Sequence, residues 1–292
     1  MKISIVRNYK IFFTISIVFL LIGFSSMLFR GFNLGIDYTG GSIMDLKFDT
    51  PVNVAQVREV LKERDLGNSI IQLENSESNT ESRDVLIRTG IIDDDKRRLV
   101  MEDLKNKLGN FNILRVENVG ATVGGELVEQ AVLAIVLSWV LMIAYITVRF
   151  EFKFALAAII ALIIDVSVTL SYFSIFQMEL DSSFVAALLT VVGYSINGTI
   201  VIFDRIRENL KVHRRSESLS DMIDNSVWQT MGRSIYTVGT SLFAVLAIFL
   251  WGGDTIRNFS FAMLVGFGSG AYTSTVLAGP LWLFLRGKKA GQ

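Results

Sequence analysis

The acidic residue in the most unusual setting in this chain is Asp165. It is the twelfth residue of the 23-residue apolar run Phe154–Phe176. A charged side chain at the centre of a lipid bilayer costs about 2.5–3.5 kcal/mol on insertion scales, so such a residue is a candidate functional group. Thr169 and Tyr172 follow at helical spacing and add polar atoms to the same face. Two interpretations are open: a proton-carrying carboxylate, or a structural carboxylate hydrogen-bonded across a helix bundle.

Two further polar residues belong to apolar surroundings. Asn197 lies in the second half of Phe184–Phe203, where an interhelical hydrogen bond is expected in preference to a role in transport. With Gly198 it forms an Asn-Gly pair, typical of a tight hairpin turn. Because backbone in lipid must stay hydrogen-bonded, the sequence nevertheless predicts a continuous helix here. Arg233 directly precedes the run Ser234–Trp251, and it either extends to the membrane edge or reaches inward to an acid.

Other residues of chemical interest have plainer explanations. The acidic triplet Asp93–Asp95 has no calcium-loop spacing and is typical of a helix start, where the helix dipole favours acids. His213, the one histidine, has no nucleophile or metal-ligand spacing beside it. The sequence has no cysteine, Walker loop, dinucleotide fingerprint or zinc-protease motif. It therefore predicts no catalytic residue, metal, cofactor or nucleic-acid partner.

The elements that hold these residues are predicted from hydrophobicity. The chain of 292 residues is 51% hydrophobic and has two prolines. Six apolar runs of at least 18 residues are long enough to cross a hydrocarbon core of about 30 Å as helices. These runs are Ile11–Phe29, Ala131–Val148, Phe154–Phe176, Phe184–Phe203, Ser234–Trp251 and Phe259–Leu285. No small-residue cleavage site follows the first run, so we expect it to be retained as an anchor.

Small residues recur every four positions in the last run and predict a face on which helices pack closely. They are Gly266, Gly270, Ser274 and Ala278.

The distribution of basic residues predicts an orientation. Lysine and arginine are concentrated at both ends of the chain, after the second run and after the fourth, whereas the opposite short loops contain only Arg257. Since basic loops face the cytoplasm, we expect both termini there. Residues 1–30 would contain the first helix, 31–126 an external domain, and 127–292 helices two to six. Residues 204–232 are expected to form a cytoplasmic loop with a surface helix lying along the membrane.

The external segment alternates between strand and helix patterns. Strands are predicted at "SIMDLKF", "SIIQLE", "DVLIRT" and "FNILRVENV", and helices at "NVAQVREVLKERD", capped by Asn53, and "DDDKRRLVMEDLKNKL". The polar tract "NSESNTESR" predicts a hairpin loop. The order βαββαβ is that of a ferredoxin-like fold. The predicted fold class is thus an α-helical membrane protein with six transmembrane helices and a small α+β ferredoxin-like extracytoplasmic domain between helices 1 and 2.

Three stretches resemble the SecF family, the smaller membrane subunits of the SecDF complexes of bacterial protein translocation. They are "GIDYTGGS" (Gly35–Ser42), "VGATVGGEL" (Val119–Leu127) and "VGYSINGTIVIFDRIREN" (Val192–Asn209). The resemblance extends over essentially the whole chain. The family pattern falls on Gly35, Asp37, Gly40, Gly41, Gly193, Asp204, Arg205, Arg207, Glu208 and Asn209.

The resemblance implies one half of a motor rather than an enzyme. In that family the subunit pairs with SecD in a helical assembly of the resistance-nodulation-division type. The assembly associates with the SecYEG channel and draws unfolded protein chains outward using the proton motive force. The resemblance also implies a location in the bacterial inner (plasma) membrane, in contact with the lipid bilayer. YajC and YidC are further implied partners.

The same resemblance implies where protons pass. Asp165, in "LIIDVSVTL", matches an aspartate of the third helix, and Arg233, in "MGRSIYT", matches an intramembrane arginine important for proton coupling. Many members have an aspartate directly after "SIN", beside the position of Asn197, whereas this chain has Gly198. We therefore take Asp165, Arg233, Asn197 and the position of Gly198 as proton-coupling candidates, with further acids supplied by SecD.

Two alternative functions stay open. One is a subunit of a proton-coupled exporter of small molecules or lipids from the same superfamily. Such an exporter normally needs a larger or doubled external domain, and this chain has one of about 90 residues. The other is a scaffold for SecD that carries no protons.

Overall fold

The computed structural model describes residues 4–74, 81–213, 218–253 and 256–287. Within these ranges the chain forms two compact units, with boundaries between Asn33 and Leu34 and between Gln130 and Ala131. Residues 75–80 of the predicted hairpin loop lie outside the described residues. Several basic residues behind the predicted orientation also lie outside them, namely Lys2, Arg214, Arg215, Lys288 and Lys289.

The secondary structure alternates long helices with one α+β segment. In chain order the elements are α1 (Tyr9–Arg30), β1 (Asn33–Leu34), α2 (Ile36–Thr39), β2 (Gly41–Val52), α3 (Val54–Lys62), β3 (Ile70–Glu74), β4 (Ser82–Thr89), α4 (Asp94–Leu108), β5 (Phe111–Val119), α5 (Ala121–Arg149), α6 (Phe152–Phe176), β6 (Glu179–Leu180), α7 (Ser182–Val212), α8 (Leu219–Trp251), α9 (Arg257–Tyr272), a π turn (Thr273–Leu277) and α10 (Ala278–Arg286).

The six predicted spans are confirmed within the described ranges. Six helical segments there are long and apolar enough to cross a membrane, the last being Arg257–Arg286, which joins α9, the π turn and α10. The helix α7 runs unbroken through Asn197 and Gly198, so the prediction of a helix rather than a hairpin turn at this pair is confirmed.

The predicted surface helix in residues 204–232 is wrong. The helix α7 continues to Val212, and α8 begins at Leu219, so the segment joins the fourth and fifth spans as helical extensions. Its apolar stripe, including Met222, Ile223 and Val227, is buried in the core of the helical unit instead of lying along lipid. An amphipathic stripe has the same spacing in both arrangements, so hydrophobic periodicity does not separate them.

The start of α8 also holds the amino-terminal segment. Asp224 is buried, and its carboxylate accepts hydrogen bonds from the backbone N–H of Val6 at 2.8 Å and from the hydroxyl of Ser4. Ile5 and Val6 are buried in the same core as Trp282, which stacks on Phe154 with ring centroids 4.7 Å apart.

The last span is interrupted by the π turn. Pro280 lies just after it and has no N–H to donate to the carbonyl four residues earlier, at Val276. Single π turns inside helices occur frequently at functional sites. Here the first residue of the turn is Thr273.

The α+β unit has the predicted βαββαβ order. Its four-stranded sheet has the order β3-β4-β2-β5, with every neighbouring pair antiparallel, as in ferredoxin-like folds. Alternate residues of β2 are buried against the two helices, since strand side chains point to opposite faces in turn. The core includes Met44, Leu46 and Phe48 from β2, Val57 and Leu61 from α3, and Val100 and Leu104 from α4.

The two predicted helices of this unit, α3 and α4, begin where the sequence indicates. Asn53 caps α3 in a reciprocal capping box with Gln56. Asp93 caps α4 by accepting from the N–H of Lys96 at 2.7 Å. The next two acids form ion pairs one turn along, Asp94 with Arg97 and Asp95 with Arg98, so the interpretation of the acidic triplet as a helix start is confirmed.

Candidate functional site

Asp165 lies on α6, fully buried, and three hydroxyl groups surround its carboxylate. Ser195 of α7 donates to Oδ2 at 2.5 Å, and Ser269 of α9 donates to Oδ1 at 2.6 Å. Thr273 Oγ1, at the start of the π turn, lies 3.0 and 2.9 Å from the two carboxylate oxygens. Four segments of the helical unit thus converge on one carboxylate, which we call the hydroxyl cage.

The hydroxyl cage suits both protonation states of the carboxyl group. A hydroxyl is both a donor and an acceptor, so Ser195 and Ser269 can donate to a carboxylate or accept from a carboxylic acid. A guanidinium or ammonium partner would only donate and would hold the group ionised. In the described part of the chain, every side chain that hydrogen-bonds the Asp165 carboxylate is a hydroxyl. The arrangement can therefore hold or release a proton without losing its hydrogen bonds.

The predicted small-residue face lets the cage form. A Cβ on Gly266 would lie 2.2 Å from Cγ2 of Val191, and one on Gly270 would lie 2.9 Å from Cβ of Ser195. These distances are possible only because glycine has no side chain, and they bring α9 against α7. Close packing places Ser269, between the two glycines, within reach of Asp165.

A small cavity lies beside the hydroxyl cage, between α7, α8 and α9. It has a volume of about 50 Å³, and Ser195, Asn197, Gly198, Arg233 and Ser274 are among its lining residues. We call it the Gly198 cavity. The structure thus brings three of the predicted residues together around this space, while Asp165 is separated from it by the hydroxyl of Ser195.

The structure corrects the expectation for Asn197 and shows where Arg233 lies. Asn197 is exposed and, within the described residues, forms no side-chain hydrogen bond, so the expected interhelical bond is wrong. The reason is its direction, since Asn197 lines the Gly198 cavity rather than a packed helix face. Arg233 lies well inside α8, which begins at Leu219. It is exposed and has no carboxylate partner within the described part of the chain.

The three hydroxyl donors were not predicted from the sequence. Thr169, which has helical spacing from Asp165, donates its hydroxyl to the backbone carbonyl of Asp165 at 2.9 Å and does not contact the carboxylate. A signal was present, since Ser269 and Thr273 are four residues apart and share a helix face.

The charged end of the family pattern joins helices to one another. Arg205 donates to Gln229 of α8 at 2.6 Å and to Glu208 at 2.8 Å. Asn209 donates to Ser226 at 2.8 Å and to Gln229 at 3.0 Å. These contacts fasten the end of α7 to the start of α8.

Arg207 makes the corresponding link to α5. It donates to the carbonyl of Arg149, the last residue of α5, at 2.7 Å, and its guanidinium lies 5.0 Å from the ring centre of Phe150. Asp204 pairs with it at 3.7 Å. A cation at a helix carboxyl terminus is favourable. Gly193 has no such role, because a Cβ there would meet nothing within 4 Å.

The glycines of "GIDYTGGS" shape a tight turn before β2. Gly35 caps α2, and its carbonyl accepts from the N–H of Thr39 at 3.1 Å. Gly40 has φ of 69° and Gly41 has φ of 143°, values that favour glycine. A Cβ on Gly41 would also lie 2.6 Å from the carbonyl oxygen of Thr89. The positions of Gly40 and Gly41 therefore require glycine for backbone geometry.

The second motif packs on the first. A Cβ on Gly124 would lie 2.5 Å from the carbonyl oxygen of Tyr38 and 2.9 Å from that of Asp37. Two of the stretches that carry the family resemblance thus form one packed feature of the α+β unit.

Comparisons with known proteins give the same assignment. A family model for the protein export membrane protein SecD/SecF, C-terminal, matches residues 100–288, and a model for the SecD/SecF GG motif matches residues 25–52. The protein translocase subunit SecF of Acidaminococcus fermentans is 67% identical over 288 residues, covering 98% of each chain. The chain belongs to the SecF family. Its relative in Sebaldella termitidis is 41% identical, covering 98% of this chain and 92% of that one.

Solved structures show the same fold. The crystal structure of SecDF, a translocon-associated membrane protein from Thermus thermophilus, is 29% identical with a TM-score of 0.88 and covers 98% of this chain. A crystal structure of SecDF in a super-membrane-facing form gives a TM-score of 0.71 at the same identity. This SecF-family chain spans 39% of the length of each SecDF chain. It is a multi-pass membrane protein with a role in protein translocation.

Proposed function

We propose that this chain is the SecF half of a SecDF-type assembly that uses the proton motive force to assist translocation through SecYEG, and that protons bind at Asp165. The main observation that supports this proposal is the hydroxyl cage. It holds a fully buried carboxyl group among neutral groups that serve either protonation state. Asp224, the buried carboxylate with a structural role, accepts from a backbone N–H, which can only donate and so favours the charged form. The side chains that bond the Asp165 carboxylate within the described chain are hydroxyls, which can also accept from a protonated carboxyl group.

The proposed partner is SecD. Arg233 lines the Gly198 cavity without a carboxylate partner in the described chain, and an unpaired cation within a membrane span is costly. An acid from a second subunit would lower that cost. The similar SecDF structures contain a chain longer than this one, of which this chain matches 39%, which supports a partner of that kind.

The rest of the arrangement follows from the family. Both termini would lie in the cytoplasm. The α+β unit would lie on the outer side of the bacterial inner membrane, and there it would meet unfolded chains that leave the channel. YajC and YidC stay expected partners.

The test is translocation in proteoliposomes that contain SecYEG and the complete SecDF-type assembly. We expect Asp165→Asn and Arg233→Ala to assemble normally and to lose the gradient-dependent part of translocation. A positioned proton-transfer group typically contributes about 10²–10⁴ in rate. Asp224→Asn is the matched control, since Asp224 is also a buried carboxylate of this unit but binds the amino-terminal segment.

The control should translocate like the unmodified protein. If Asp165→Asn and Arg233→Ala also respond normally to the gradient, this subunit does not couple protons, and the scaffold function is correct.

A further inference from the structure

We propose that Ser195 is the positioning residue that passes protons between the Gly198 cavity and Asp165. Water in the cavity would carry the proton to and from the Ser195 hydroxyl. The inference deepens the proposed function and rests on it for its biological meaning. Its test measures proton access to Asp165 and does not depend on translocation.

Ser195 is the one member of the hydroxyl cage with access to the cavity. All three hydroxyl donors contact the carboxylate, but among the described residues only Ser195 both donates to Asp165 and lines the Gly198 cavity. Ser269 and Thr273 contact the carboxylate without being cavity-lining residues. The side chain of Ser195 thus separates a fully buried carboxylate from a space that reaches exposed residues.

The cavity is suited to water. Its volume is about 50 Å³, and one water molecule needs about 10–15 Å³ measured in the same way and two to four polar partners. Side chains of Asn197, Ser234, Thr237 and Ser274 supply such partners. A Cβ on Gly198 would lie 3.2 Å from Oγ of Ser274, so glycine at this position keeps the cavity open.

The spacing along α7 places Ser195 and Gly198 at the same cavity. Ser195 and Gly198 are three residues apart, so they face the same side of the helix. Water beside Gly198 therefore lies next to the hydroxyl of Ser195, which already points its proton at Oδ2 of Asp165.

The transfer is a balanced exchange of O–H bonds. A hydronium ion in the cavity gives one proton to Oγ of Ser195, while the original hydroxyl proton moves to Oδ2 of Asp165. The hydronium becomes water, the carboxylate becomes a carboxylic acid, and the serine stays neutral. Rotation of the Ser195 hydroxyl then restores the starting geometry, since hydroxyl protons rotate freely. The positive charge of Arg233 at the same cavity disfavours a resident hydronium and therefore favours its onward transfer.

The experiment follows hydrogen–deuterium exchange at Asp165 by infrared spectroscopy. The intact chain is reconstituted with its partner in lipid at a pH low enough to protonate the carboxyl group, and the buffer is changed to D₂O. The carboxylic acid band assigned to Asp165 is the one that disappears in Asp165→Asn. We expect Ser195→Ala to slow its deuterium shift at least about tenfold, since positioned proton-transfer groups typically contribute 10²–10⁴ in rate.

Two controls separate proton passage from structure. Ser269→Ala removes a hydrogen bond of nearly the same length, 2.6 Å against 2.5 Å, from the same carboxylate without touching the cavity. Ser269→Ala should therefore slow exchange less than Ser195→Ala does. Val238→Ala changes the cavity lining at an apolar residue and leaves the carboxylate and the polar partners of the water in place, so it should exchange within about twofold of the unmodified protein. Gly198→Val fills the cavity from the other side and leaves Ser195 in place, so it should slow exchange even if Ser195→Ala does not fold.

The possible outcomes distinguish the Ser195 pathway from the proposed proton-coupling function. Exchange at the unmodified rate in both Ser195→Ala and Gly198→Val overturns the pathway, as does equal slowing by Ser269→Ala. A pathway confirmed by exchange, together with normal gradient-dependent translocation by Asp165→Asn, leaves the pathway standing and removes the coupling function.

Discussion

The contact between Gly266 and Val191 allows a quantitative test of how the hydroxyl cage is held. In Gly266→Ala, the new Cβ would lie 2.2, 2.5 and 2.9 Å from Cγ2, Cγ1 and Cβ of Val191. Carbon atoms pack at about 3.5–4.0 Å, so the two atoms that are closest must separate by about 1.3–1.8 Å. Valine in a helix has one strongly preferred rotamer, so rotation gives little relief and the helices must part.

The expected cost follows from this overlap. Overpacking a well-packed site typically costs about 1–3 kcal/mol, and we expect Gly266→Ala to lower the free energy of unfolding by an amount in that range. A displacement of about 1.3 Å along the Ser269–Asp165 bond would lengthen it from 2.6 Å to about 3.9 Å, beyond hydrogen-bonding distance. The substitution should therefore also reduce gradient-dependent translocation.

The assay is reversible unfolding in detergent micelles or bicelles, applied to a double-mutant cycle. Val191→Ala removes both Cγ atoms, so the closest remaining contact is Cβ at 2.9 Å, and the double variant should recover about 1 kcal/mol relative to the sum of the single variants. Gly268→Ala is the matched control on the same helix, because a Cβ there would meet nothing within 4 Å. Equal stability of Gly266→Ala and Gly268→Ala, or additivity of the cycle, would refute the close-packing argument.

Three further outcomes are expected. Gly198→Asp places an acid in the cavity and should restore gradient-dependent export to Ser195→Ala; export that stays low in the double variant would contradict shared access to one cavity. Asp224→Ala leaves a buried backbone N–H, now bonded at 2.8 Å, without its acceptor, at a cost of about 1–3 kcal/mol, and limited proteolysis should cut the amino-terminal segment faster. The pKa of Asp103 is lowered by its 2.7 Å hydrogen bond with Arg64. Its contribution to stability is therefore present above the unfolded pKa of about 3.9 and lost as the pH falls through the lower folded pKa. Hydrogen exchange in α3 and α4 should distinguish Asp103→Asn from the unmodified chain at neutral pH and not at strongly acidic pH.

The secondary structure of a segment is predictable from sequence where the surroundings leave its backbone few alternatives. Lipid forces a helix, so the sequence correctly predicts α7 through Asn197 and Gly198, against the local turn signal. The order of strands in the α+β unit was equally predictable, because alternation and caps such as Asn53 mark each element. The start of α8 was not, since the same apolar stripe serves a surface helix and a buried one.

The hydroxyl cage shows a different limit. Serine and threonine in a helix usually donate to a carbonyl of their own preceding turn, as Thr169 does here. Ser195 and Ser269 instead donate across to another helix. Which of the two happens depends on whether a neighbouring helix comes close enough, and that is a property of the packing. The sequence therefore identifies Asp165 as unusual, but it does not predict the hydroxyl groups that hydrogen-bond its carboxylate.

Under the proposed function, the charges of Asp165 and Arg233 would connect proton binding to the partner subunit. While Asp165 is ionised, its negative charge lies one hydroxyl away from the cavity that Arg233 lines, and we expect the two opposite charges to compensate each other in part. Protonation removes that compensation and leaves Arg233 more dependent on an acid from the partner, because charge interactions are strong where water is scarce. A proton at Asp165 would thus draw the partner's acid toward α8. We expect Arg233→Lys to retain much of the gradient-dependent export and Arg233→Gln to lose it. Equal export by both variants would show that the charge at this position does not transmit proton binding.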